Sequence, residues 1–132
     1  MGTLLSSHDL TAAQREMYRG TIPLDAIGYA LLTEDGRRIG VVDDVLLDDE
    51  DFTANFLVVD TATAEFIANQ AHVLLPAALC CWDAERKTAH SRATAGQVQS
   101  APAYDRAVAL TRAYEETVFF NYGERPSGPA DH

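Results

Sequence analysis

The chain has 132 residues, 47% of them apolar, with five Phe, five Tyr and one Trp. That is ordinary for one globular domain able to bury roughly two thirds of the surface its unfolded form exposes. Twenty acidic against ten basic residues give a net charge of -10, which repels nucleic-acid phosphates and anionic membrane surfaces and argues against both as direct partners.

Apolar runs fall far short of the ~20 residues of a spanning helix. Met1 to Leu10 lacks both a basic start and an apolar stretch of export-signal length, so the cytoplasm is the expected location. Thr11 with Gln14 forms a capping-box pattern, and Gly20 supplies a stop, which predicts a short N-terminal helix. Pro23 keeps Ile22 out of the helical region, so Ile22 to Gly28 reads as a turn leading into a strand at Tyr29 to Thr33. Glu34 to Val59 organises the rest of the chain. Asp35-Gly36 makes a tight turn, and the β-branched and aliphatic run after it suits a half-buried strand. Within that strand Val42 and Val45 have opposite parity, so placing both inside requires an extra residue near Asp43 or Asp44, a β-bulge of the kind that coils a sheet.

The acidic turn Asp48 to Asp51 should reverse the chain into a third strand, Phe52 to Asp60, whose second half is apolar on both faces and needs an outer cover. Thr61 to Gln70 reads as a loop with a short strand or turn near Phe66-Ile67. A fourth strand, Ala71 to Leu75, ends at Pro76, with one tight turn at Ala77 to Leu79; Cys80 to Ala84 and Thr88 to Arg92 form a hairpin. Thr94 and Gln97 repeat the capping-box pattern for a short helix that must stop before Pro102, and Asp105 to Asn121 is the one long helical segment, with Asp105 as N-cap and Gly123 as stop. Short strands joined by tight turns argue for an antiparallel barrel or sandwich. The expected organisation is an N-terminal helical extension at 1–23, a β domain at 24–104, a C-terminal helix at 105–122 and a disordered tail at 123–132.

The residues that could carry chemistry do not converge. Asp43, Asp44, Asp48, Asp49, Glu50 and Asp51 form the densest acidic set, and Asp49-x-Asp51-x-Thr53 starts like a calcium loop. Its sixth position is Ala54 and its twelfth is Asp60, so a solvated acidic turn is the better reading. His8, His72, His90 and His132 lack ligand spacing, and His72, on a strand expected to be buried, reads as structural. Cys80 and Cys81 are sequence neighbours that a strand points to opposite faces, which suits two small hydrophobes in a reduced compartment rather than a disulfide. No Gly-x-Ser-x-Gly elbow or Gly-rich phosphate loop is present. The expectation is a non-enzymatic protein with no catalytic residue, no cofactor and no metal.

Five blocks in order, Asp35-Gly36, Ile39 to Asp48, Phe56 to Asp60, Val73 to Pro76 and Ala101 to Tyr104, carry a resemblance to the PRC-barrel family across Leu24 to Tyr104. The chain departs from that pattern after Asp60, with Thr61-Ala62-Thr63-Ala64 where glycines are usual. The resemblance implies a small, closed or nearly closed β-barrel used mainly for protein contacts; with the helices read above, the expected fold is mainly β, a small antiparallel barrel with a short N-terminal helix and a longer C-terminal one. It points to a stand-alone interaction or scaffolding domain. A ribosome-associated maturation-type factor, or a barrel that binds a small ligand or metal, is the alternative.

The partner expected first is a second copy. On the C-terminal helix Leu110, Tyr114, Val118 and Tyr122, with Ala107, make one stripe able to seal the barrel. Val108 and Phe119 project to one side of it, Ala113 and Phe120 to the other. These four are the candidate interaction residues, and two exposed phenylalanines would mark a homodimer or higher oligomer, or a surface for another protein. The competing reading has the N-terminal helix, through Met17 and Tyr18, cover the same surface within one chain.

Overall fold

The structure, a computed structural model, describes residues 4–18, 26–48, 53–66, 69–105 and 111–123. Seven strands form one mixed sheet: β1 (Leu4–Ser6), β2 (Ala30–Leu32), β3 (Arg38–Asp48), β4 (Ala54–Asp60), β5 (His72–Pro76), β6 (Cys80–Asp83) and β7 (Thr88–Ser91). Their order is β5-β4-β3-β2-β7-β6, with β1 pairing beside β2 on β3. Three helices complete the described fold: α1 (Ala12–Met17), α2 (Ala95–Ser100) and α3 (Arg112–Asn121). The expected sheet was antiparallel throughout. Five ladders are so, but β2 and β7 run parallel, Ala30 opposite Thr88 and Leu32 opposite His90. The chain reaches β7 through the β6–β7 hairpin, which brings it back in the direction of β2. Among the described strands no pairing joins β5 to β6, so the sheet is open at that seam.

Local chemistry explains most of these elements. At the first turn Gly36, at φ 89°, donates its N–H to Thr33 O at 3.0 Å, and Thr33 N–H donates to Arg37 O at 2.7 Å. The Thr33 hydroxyl also donates to Asp35, which holds that exposed carboxyl below its usual range. The bulge falls where parity required it. Val42 lies opposite Val59 and Asp44 opposite Val58, leaving Asp43 as the inserted residue, and Val42 and Val45 are both 0% exposed. Gly40 has a different reason to be glycine: an added Cβ would lie 2.1 Å from the carbonyl oxygen of Asp60.

The core runs along both faces of the central strands. Phe56, Leu57, Val58 and Val59 are all buried, so the double-sided apolar pattern of β4 has found its cover. β4 begins at Ala54. The Thr61 hydroxyl donates to the carbonyls of Gln70 and Ala71, the latter at 3.1 Å, and so ties the ends of the loop that lacks the family's glycines. Both capping boxes are formed, Thr11 with Gln14 and Thr94 with Gln97. The Ala77–Leu79 turn is a single 3-10 turn, and α2 stops at Ser100, before Pro102. β1 was not foreseen. The acidic stretch Asp49 to Asp51, the Gly20 stop, Pro23 and the C-terminal tail lie outside the described residues.

Candidate functional site

The expected 105–122 helix does not start at Asp105. Thr111 is extended (φ -102°, ψ 159°), and its hydroxyl accepts from Tyr114 N–H at 3.1 Å as the N-cap of α3. Ala107, Val108 and Leu110 lie outside the described residues. The remaining members of the sealing stripe behave as expected: Val118 and Tyr122 are buried and Tyr114 is half-buried. α3 is fixed to the body at both ends. The Tyr114 hydroxyl donates to Ala103 O at 2.7 Å, Asn121 Nδ2 donates to Gln97 O at 2.8 Å, and Ser100 Oγ donates to Asn121 Oδ1 at 2.9 Å.

That clamping separates the two phenylalanines expected to be exposed together. Phe119 is half-buried, its ring 5.0 Å from that of Phe56, so it belongs to the cover of β4 and not to a free surface. Phe120 is 86% exposed. Ala113, Glu116 and Thr117 are exposed with it, at the seven-, four- and three-residue spacings that place all four on one helix face. Of the four candidate interaction residues, then, the structure brings Ala113 and Phe120 together, turns Phe119 inward and does not describe Val108. Tyr18 packs against the core, and Met17's side chain is outside the described residues.

Cys80 of β6 and Tyr114 and Tyr122 of α3 form a titratable group, Tyr122 buried and the other two half-buried. Burial raises the Cys80 thiol to about 12 and the Tyr114 phenol to about 12, and pushes Tyr122 up as well. The Tyr122 hydroxyl has no hydrogen-bond partner among the described residues. Cys81, the neighbour of Cys80, is exposed, which is the opposite-face arrangement expected of a strand; both are free thiols.

Two of the expected assignments, Asp44 and His72, need correction. Asp44 is not part of a solvated turn but is 0% exposed. Its Oδ1 accepts from Ser7 N–H at 3.1 Å, Ser7 Oγ at 2.7 Å and Val45 N–H at 2.8 Å, and its Oδ2 accepts from the Ser6 hydroxyl. Nothing local in the sequence signals this, because the donors come from a strand whose pairing was unforeseen. His72 is only half-buried and lies 4.0 Å from Asp60. It borders a cleft of about 510 Å³ lined also by Asp43, Val58, Gln70, Tyr104 and Asp105. Among the described residues no group of three His, Cys, Asp or Glu is placed to hold a metal ion, and no helix is long and apolar enough to cross a membrane.

A coiled, mostly antiparallel sheet with short helices laid on it, presenting one rigid helical face, defines a small β domain. The PRC-barrel domain model matches residues 25–92, more than half of the 132 residues, and the chain belongs to that family. The match covers β2 to β7 and leaves β1, α1, α2 and α3 as surroundings of the family unit. No curated protein matches the chain.

Proposed function

We propose that the chain is a non-enzymatic protein-interaction or scaffolding domain that self-associates through the outer face of α3. The observation that carries this reading is Phe120, a large apolar side chain held 86% exposed on a helix clamped at both ends. Phe120 shares its exposed helix face with Ala113, and apolar surface on such a face is a common partner contact. A second copy covers that face through a two-fold contact, in which Phe120 of each protomer rests near the small Ala113 of the other. Two free cysteines support a reduced, cytoplasmic setting. The finer fold reading is a barrel in which the β5 and β6 edges approach each other, supported by the bulge at Asp43 and the tight turn Ala77–Leu79 that links those strands.

Light scattering at tens of micromolar tests the proposal. The wild-type chain should have a dimer mass or higher, and Phe120→Ser should be a folded monomer. A monomeric wild type, or a Phe120→Ser protein of unaltered mass, overturns it. A small-ligand function is the second reading, favoured by the cleft beside His72 and Tyr104; a reproducible thermal shift with a cationic or aromatic small molecule, lost in Tyr104→Ala, would support it.

A further inference from the structure

β2 leaves β3 at Val41, and β1 takes up the same side of β3 from Leu46 to Asp48. Without β1, that length of β3 would be an open edge, with backbone donors and acceptors facing water. The segment covering it is a strap. β1 pairs with no strand other than β3, and its three residues are all half-buried. Arg15 of α1 donates to Ser7 O at 2.8 Å, and α1 carries its own capping box, so residues 4–18 hold together as one unit. What attaches that unit is apolar as well as polar. Between the β2 and β1 pairings sits the buried Asp44 carboxylate, which reads the two consecutive hydroxyls of Ser6 and Ser7 and the Ser7 N–H, while Leu10 is buried in the core and Leu4, Leu5 and Tyr18 pack against it.

We propose that the lane of β3 from Asp44 to Asp48 is a strand-accepting site, closed here by the chain's own strap and able to take the strap of a second copy in its place. Detaching the strap leaves the β2–β3, β3–β4 and β4–β5 ladders intact, because β1 contributes to none of them. An incoming strap of identical sequence restores every bond that the outgoing one made, including the pair of hydroxyls on Asp44. The fit is selective. The site asks for an extended segment in which an apolar pair is followed by two hydroxyl residues, as Leu4-Leu5-Ser6-Ser7 provides. The site is separate from the α3 face, so each proposal stands or falls alone.

The test uses a labelled peptide of residues Leu4 to Ala12 and the full-length chain, followed by fluorescence anisotropy. Saturable binding is expected, unaffected by Phe120→Ser. A peptide with both serines replaced by alanine should bind about tenfold more weakly or worse, since hydrogen bonds to a buried charge are lost. Leu4 and Asp48 are direct cross-strand partners, so Leu4→Cys with Asp48→Cys in a Cys81→Ser background should lock the strap by a disulfide. The oxidised form should lose peptide binding and regain it on reduction. In the unaltered chain, strap amides should exchange with deuterium about tenfold faster or more than the paired amides of β4. No saturable binding at millimolar peptide, equal binding to locked and reduced protein, equal binding of the alanine peptide, or strap amides that exchange only with the whole sheet would each overturn the proposal.

Discussion

At the scale of single residues, stability concentrates in the bulged part of β3. Gly40 has its backbone against Asp60 O, and no methyl group fits a 2.1 Å gap to a main-chain atom. Val42, 0% exposed, tolerates no charge: Val42→Asp buries a carboxylate with no partner and should cost several kcal/mol, roughly the whole margin of a small domain. A melting temperature equal to that of the wild type would show the β3 register to be wrong. The neighbouring acids Asp43 and Asp44 make a sharper comparison. Asp44→Ala orphans the buried Ser7 donors and should cost about 3 kcal/mol, whereas Asp43→Asn, at the half-exposed inserted position, should change stability by no more than about 0.5 kcal/mol. Urea midpoints measured side by side would decide, and equal losses would mean that burial of Asp44 contributes nothing.

At the scale of elements, α3 has an inner and an outer face whose roles are separable. Phe119→Ser removes a ring packed at a tilt against Phe56 and should cost about 2 kcal/mol, less than a fully buried Phe because the ring is half exposed. Phe120→Ser, compared at a dilution where the wild type is also monomeric, should leave the urea midpoint in place. If both changes prove equally destabilising, α3 is not oriented as described. Burial of Cys80 on β6 also makes stability depend on pH at the alkaline end. Cys80 titrates near its ordinary 9.0 when unfolded and at about 12 when folded. Between those values the unfolded chain has released a proton that the native chain still holds. Stability contributed by the protonated thiol is therefore complete below pH 9 and falls as pH rises toward 12, with Tyr114 and Tyr122 acting in the same direction. Thiol labelling at pH 8 is the simpler measurement: Cys81 should react quickly and Cys80 only on unfolding. Two equally fast thiols in the native protein would contradict the burial of Cys80.

At the scale of the whole molecule, net charge opposes what the α3 face promotes. Two copies at -10 each repel over distances comparable to the Debye length, so salt should tighten an apolar self-contact. Raising NaCl from about 50 mM to about 500 mM should increase the mass seen by light scattering, because the screening length falls to a few ångströms. A mass that drops with salt would point instead to an interface held by ion pairs, and the Phe120 reading would fail.

Features that depend on a few adjacent residues were legible in the sequence. The capping boxes at Thr11 and Thr94, the Gly36 turn, the bulge at Asp43, the β6–β7 hairpin and the halt before Pro102 follow from φ preferences, side-chain reach and strand parity, all of which act over a few positions. Tertiary structure decided the rest. Asp44 is buried because Ser6, 38 positions earlier, arrives beside it; β2 pairs parallel with β7 because of how the sheet coils, and no local pattern encodes direction. Phe119 and Phe120 are the plainest case: adjacent, identical in chemistry, and 100° apart on a helix, one meets Phe56 and the other meets solvent. Periodicity states that a helix has faces. Which face is covered depends on the angle at which the clamps at Ala103 and Gln97 set α3 against the sheet, and that angle is a property of the packed whole.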